Sequence, residues 1–132
     1  MRNRYLWIPV VIYCAGIFGL SSLQSPPESI SFIPDKLAHM FLYAGLGFLT
    51  ARYLARTRSM KTLSFCIFAT LFALGYGITD EIHQRFVPGR LPELGDIVAD
   101  TVGGLVGALL YSAVRRHNPE TGQEHTGRVN LP

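Results

Sequence analysis

At 132 residues the chain has room for one domain, and 12 Lys and Arg against 9 Asp and Glu leave a net charge of only +3. Nearly half of it (48%) is hydrophobic and 16% is charged, so the charged residues are few enough for their positions to matter. Cys14 and Cys66 both fall in apolar stretches, where they read as small packing residues rather than a disulfide framework or a cysteine metal site.

The apolar residues come in four blocks, at about residues 5–23, 37–54, 63–79 and 97–114. A bilayer core of about 30 Å asks for about 20 helical residues, with about 17 as the lower limit, so each block is a candidate membrane span. A soluble helical bundle would need a polar stripe along every helix, and residues 63–78 have none. The expectation is an all-α protein: a membrane domain of four transmembrane helices over residues 1–116, then a disordered cytoplasmic tail over 117–132.

Arg2 and Arg4 precede the first block. The block is long for a signal-peptide core, Pro9 sits early in it, and no Ala-x-Ala-type site follows, so a retained helix is expected. Tyr13 before Cys14 argues against a lipoprotein site, which wants a small residue there. Pro26, Pro27 and Pro34 then impose an extended connection. In the second block Lys36, His39, Tyr43 and Gly47 share one face at helical spacing. Arg52, Arg56, Arg58 and Lys61 follow in a short basic loop.

The third helix should outrun its apolar block, with Gly77, Asp80, Glu81 and Gln84 on one face and His83 and Arg85 turned to water. Val87-Pro88-Gly89-Arg90 stops it. A fourth helix starting near Pro92 or Glu93 places Asp96, Asp100, Gly103 or Gly104, and Gly107 on one stripe. Gly103-x-x-x-Gly107 is a close-packing pattern of membrane helices, and acids in a first turn suit the positive end of the helix dipole. The tail beyond Arg116 is polar and aperiodic.

Short loops rich in Lys and Arg stay in the cytoplasm. Arg2 and Arg4, the Arg52–Lys61 loop, and Arg115 and Arg116 all carry that mark, so both termini are expected inside. The basic balance is thus a topology signal, and no nucleic-acid partner is expected. The same topology brings the start of the second span, the end of the third and the start of the fourth to the outer face. Asp35, Asp80, Glu81, Glu93, Asp96 and Asp100 would meet there with only Lys36, Arg85 and Arg90 to balance them. Some carboxyls must then be protonated or share a cation.

The run Asp35-Lys36-x-x-His39-x-x-x-Tyr43, then Asp80-Glu81-x-x-Gln84 with Pro88-Gly89-Arg90, then Asp96-x-x-x-Asp100-x-x-Gly103-x-x-x-Gly107 resembles the VanZ-like integral membrane proteins. The resemblance covers about residues 35–111. It implies a bacterial cytoplasmic-membrane protein with a polar site facing outward, and it brings no reaction with it. Family members more often carry Asn at the position of Asp100. The family takes its name from an accessory protein that raises tolerance to the glycopeptide teicoplanin.

The expected binding residues are therefore Lys36, His39, Tyr43, Asp80, Glu81, Gln84, Arg90, Asp96 and Asp100. Arg90 is the natural fork for a phosphate or carboxylate, with a salt bridge to Asp96 as its structural alternative. The leading function is an outward polar pocket for a lipid head group or an envelope precursor, affecting envelope properties or glycopeptide tolerance. The alternative is a small membrane-embedded hydrolase or transferase using His39, Glu81 and Asp96 or Asp100 as acid–base or metal-ligand groups. A purely structural partner in a membrane complex is a third reading. His39, Glu81, Asp96 and Asp100 could together hold a metal, although the spacing matches no familiar zinc motif and no cofactor is firmly implied. A transport role would require an oligomer, because four short spans leave little room for a channel in one copy.

Overall fold

Residues 5–24, 34–58 and 60–117 are described by a computed structural model. The expectations about Arg2, Arg4, Pro26, Pro27 and the tail beyond His117 lie outside them. Four helices follow one another: α1 (Ile8–Ser21), α2 (Asp35–Thr57), α3 (Thr62–Gln84) and α4 (Leu94–His117). The order and type of the elements match the sequence reading, while α1 is shorter than the expected block. Its first helical turn holds Pro9, which is pre-set for a helix start, and residues 5–7 form a separate turn. At ~1.5 Å per residue α1 is roughly 21 Å long, short of the ~30 Å core of a bilayer.

Among the described residues α3 and α4 are each long and apolar enough to cross a membrane. Their apolar stretches are only 28% and 39% buried inside the molecule, whereas the core helix of a soluble protein would be mostly covered. Phe68, Leu71, Leu109 and Leu110 stand outward, a surface that water would not tolerate at this density. α2 is equally long but carries Asp35, Lys36, His39, Arg52 and Arg56. Its charged residues gather at its two ends, and it does not reach the apolar character of α3 and α4.

The closest pair is α2 with α4, α3 packs on both, and α1 sits at the side. Small residues set that order. A Cβ on Gly47 would strike the carbonyl of Gly104, and one on Gly103 or Gly107 would strike the backbone of α2 at Met40 or Ala44. The two backbones are therefore in direct contact, the approach expected of the Gly103-x-x-x-Gly107 stripe. At the end where α2 and α4 finish, Ala51, Ala55, Phe65, Cys66, Ala69, Ala108 and Tyr111 form an apolar core. Tyr111 meets the edges of Phe48 and Phe65 at 5.4 and 5.8 Å.

Charge is split between the two ends. Arg56 lies in the last turn of α2, Lys61 caps the start of α3, and Arg115 and Arg116 lie in the last turn of α4. At the opposite end α3 finishes and α2 and α4 begin, and there the acidic residues collect. α3 runs on to Gln84, as the sequence predicts, before a turn in which Gly89 adopts φ +83°. That left-handed backbone is one a side chain resists, so the Pro-Gly pair fixes where the chain turns back toward α4.

Candidate functional site

His39, Asp80, Glu81, Gln84, Asp96 and Asp100 are all buried, although they come from three helices. Helical spacing explains their convergence. Asp96 and Asp100 stand four apart on the glycine stripe of α4, so both face the bundle. Asp80, Glu81 and Gln84 line the last turn of α3, and Gly77 one turn earlier makes room: a Cβ there would lie 2.7 Å from Asp100 Oδ2. Asp100 is fully buried, at 0% exposure.

The central contact joins His39 Nδ1 to Asp100 Oδ1 at 2.9 Å. Asp100 thereby fixes the imidazole, and Tyr43, one turn along α2, lies with its ring near-parallel to it at 6.4 Å. Gln84 Nε2 donates to Asp80 Oδ2 at 3.2 Å. Glu81 Oε2 accepts the backbone N–H of Glu93 at 2.8 Å, tying the end of α3 to the approach of α4. Three buried atoms among these residues have no protein partner: Tyr43 Oη, Glu81 Oε1 and Asp100 Oδ2. Buried polar atoms are nearly always satisfied, and three of the orphaned atoms among the described residues fall in this one cluster.

Lys36 is the cation of the cluster. Its Nζ reaches Glu93 Oε2 at 2.6 Å and Asp96 Oδ1 at 3.3 Å. Hydrogen bonds to Glu93 and then Asp96 raise the Lys36 pKa, and the Lys36 ammonium lowers that of Glu93. Both partners of the Lys36–Glu93 pair are more than half exposed, so that pair adds little to stability. Its effect is to hold an ammonium over Asp96.

Two expectations are corrected. Arg90 does not pair with Asp96: its Nε donates to the carbonyl of Leu23 at 3.3 Å, beside the end of α1. His83 is half-buried rather than turned wholly to water: its ring packs on Phe18 at 4.3 Å, and Nε2 lies 3.0 Å from Ser22 Oγ. Both residues tie α1 to the end of α3, a relation that spacing within one helix cannot disclose. Arg85 is exposed, as expected.

Of the nine candidates, Lys36, His39, Tyr43, Asp80, Glu81, Gln84, Asp96 and Asp100 come together, and Arg90 stands apart. Two further residues take part. Glu93 organises both Lys36 and Glu81, and Asp35 stands one turn before His39. A ring nitrogen of His39 and one carboxylate oxygen each of Asp35 and Asp96 lie within 4.8 Å of one another. The donor set thus differs from the expected His39, Glu81, Asp96 and Asp100: Asp35 joins it, and Asp100 stands behind the imidazole. The i, i+4 spacing of Asp35 and His39 was the available signal.

The family model described as VanZ/LLP1 matches residues 5–115. The chain belongs to the VanZ-like family. Neither the curated proteins nor the solved structures supply a match. The family match takes in all four helices, and with the apolar, outward-facing α3 and α4 it identifies a membrane protein. The acidic cluster is therefore a polar site in a VanZ-like membrane bundle.

Proposed function

We propose that this VanZ-like protein crosses the bacterial cytoplasmic membrane four times with both termini inside, the residues flanking α1 completing the one crossing for which that helix alone is short, and that its polar cluster binds the head group of a lipid or envelope precursor at the outer surface. The observation that carries this reading is the buried cluster of His39, Tyr43, Glu81, Asp96 and Asp100 from three helices, with three orphaned oxygens. Buried ionisable groups in a membrane helix are costly and face the bundle interior for a functional reason. The concentration of basic residues at the other end supports the orientation.

The chemistry of the cluster narrows the ligand. With Arg90 on Leu23 and Lys36 neutralised by Glu93 and Asp96, the site offers acceptors more than phosphate-binding forks. Carboxylates suit the hydroxyls of a sugar-bearing or polyol head group. Native mass spectrometry of the gently extracted protein tests this directly. A co-purified lipid should appear, and Glu81→Gln should lose it while protein levels hold. A lipid-free spectrum from native membranes counts against the reading, and equal loss of ligand and protein favours a structural role.

One contact favours a second reading. The 2.9 Å His39–Asp100 bond is how an imidazole is oriented for general-base work, with the Glu81 carboxyl in the same cluster. A hydrolase or transferase acting on a lipid-linked substrate would show turnover of the co-purified lipid that ends with His39→Gln.

A further inference from the structure

We propose that Asp35, His39 and Asp96 form a binding site for one divalent first-row metal ion, with Asp100 as the residue that orients the histidine. This rests on donor geometry alone and does not depend on a head group binding. Ligand atoms of the three residues already lie within 4.8 Å of one another, and octahedral or tetrahedral ligands around one ion at ~2.0–2.2 Å sit at most about 4.4 Å apart. Closing the site draws these atoms together around the ion.

The second observation concerns His39. Its Nδ1 is engaged by the carboxylate of Asp100, which leaves Nε2 for a ligand. Metal-bound histidines almost always give their other nitrogen to a carboxylate or carbonyl, which sets the tautomer and raises the basicity of the ligand. His39 is buried, with its ring held from behind by a fully buried acid. A third observation is Glu81: it is only 4% exposed, and Oε1 has no partner. That oxygen belongs to the same three-helix cluster and keeps its hydrogen-bonding capacity for a water or ligand.

One imidazole with two carboxylates selects a first-row transition ion. Calcium and magnesium prefer oxygen-only shells, whereas Zn2+ and Mn2+ accept this mixture. Exposed Asp35 gives a route from solvent. The Lys36 ammonium, 3.3 Å from Asp96 Oδ1, occupies one oxygen of the site and can fall back on Glu93 alone.

Zn2+ titrated calorimetrically into the purified full-length protein in micelles, against protein-free micelles, tests the site. One ion per chain is expected, with affinity reduced at least tenfold by Asp35→Asn and by Asp96→Asn. Asp35 is exposed, so Asp35→Asn leaves the fold intact. Uptake no greater than the blank overturns the proposal. So does uptake that survives Asp35→Asn, the result expected if His117 and His125 near the C-terminus were the ligands. Pulsed EPR of the protein loaded with Mn2+ is the second measurement. A 14N coupling that disappears in His39→Gln supports the site, and a bound ion without nitrogen coupling overturns it.

Discussion

Asp100 shows how burial, charge and a single hydrogen bond decide what a residue can be replaced by. Its Oδ1 holds His39 and its Oδ2 faces Gly77. Asparagine keeps an acceptor for the imidazole and removes a buried charge, so Asp100→Asn should retain folded protein and lower the melting temperature only slightly. Leucine leaves His39 unpaired, and breaking a buried pair in this way costs about 3–5 kcal/mol. Thermal unfolding in micelles should therefore separate the two variants clearly, and equal destabilisation would mean that the Asp100 charge, rather than its acceptor, holds the helices. Lys36 gives the opposite contrast. Its exposed pairing contributes little to the fold, but its ammonium sits against Asp96, so Lys36→Gln should leave the melting temperature unchanged and tighten Zn2+ binding severalfold. Unchanged or weaker Zn2+ binding in Lys36→Gln would show that Lys36 does not compete with the ion.

At the scale of the helices, glycine separates contact from permissive space. Gly107 has the backbone of Ala44 and Phe48 where a side chain would go, whereas Gly75 has nothing within 4 Å. Gly107→Leu must part α2 from α4, and overpacking of this kind costs typically 1–3 kcal/mol or more. Gly75→Ala should be neutral or stabilising by up to about 1 kcal/mol, since alanine restricts the unfolded chain. Melting temperatures measured side by side check both, and a tolerated Gly107→Leu would show that the close α2–α4 approach is dispensable. These same helices show what the sequence could disclose. The faces bearing His39 with Tyr43, Glu81 with Gln84, and Asp96 with Asp100 follow from helical periodicity, and the topology brings those faces to one end of the bundle. Arg90 and His83 could not be placed, because each depends on where α1 packs against the end of α3. Helix α1 is shorter than its apolar block for a local reason, the early Pro9, whose fixed backbone starts the helix later than hydropathy alone suggests.

At the scale of the molecule, one end is basic and the other acidic, and a membrane turns that polarity into an orientation. Arg56, Arg58, Lys61, Arg115 and Arg116 sit where α2 and α4 end and α3 begins, whereas Asp35, Glu93 and Asp96 sit where α2 and α4 begin. Translocation disfavours the basic end, so the acidic cluster should face outward. Single cysteines introduced as Arg85→Cys and Arg58→Cys test this once Cys14 and Cys66 are replaced by alanine. Both positions are exposed, so accessibility to a membrane-impermeant thiol reagent reports the side of the membrane alone. Arg85→Cys should be labelled in intact cells and Arg58→Cys only after permeabilisation. The reverse pattern would put His39, Glu81 and Asp96 in the cytoplasm, beyond the reach of an outer-leaflet head group. The Asp35, His39 and Asp96 metal site would survive that result, because its donors come together whichever way the bundle is inserted.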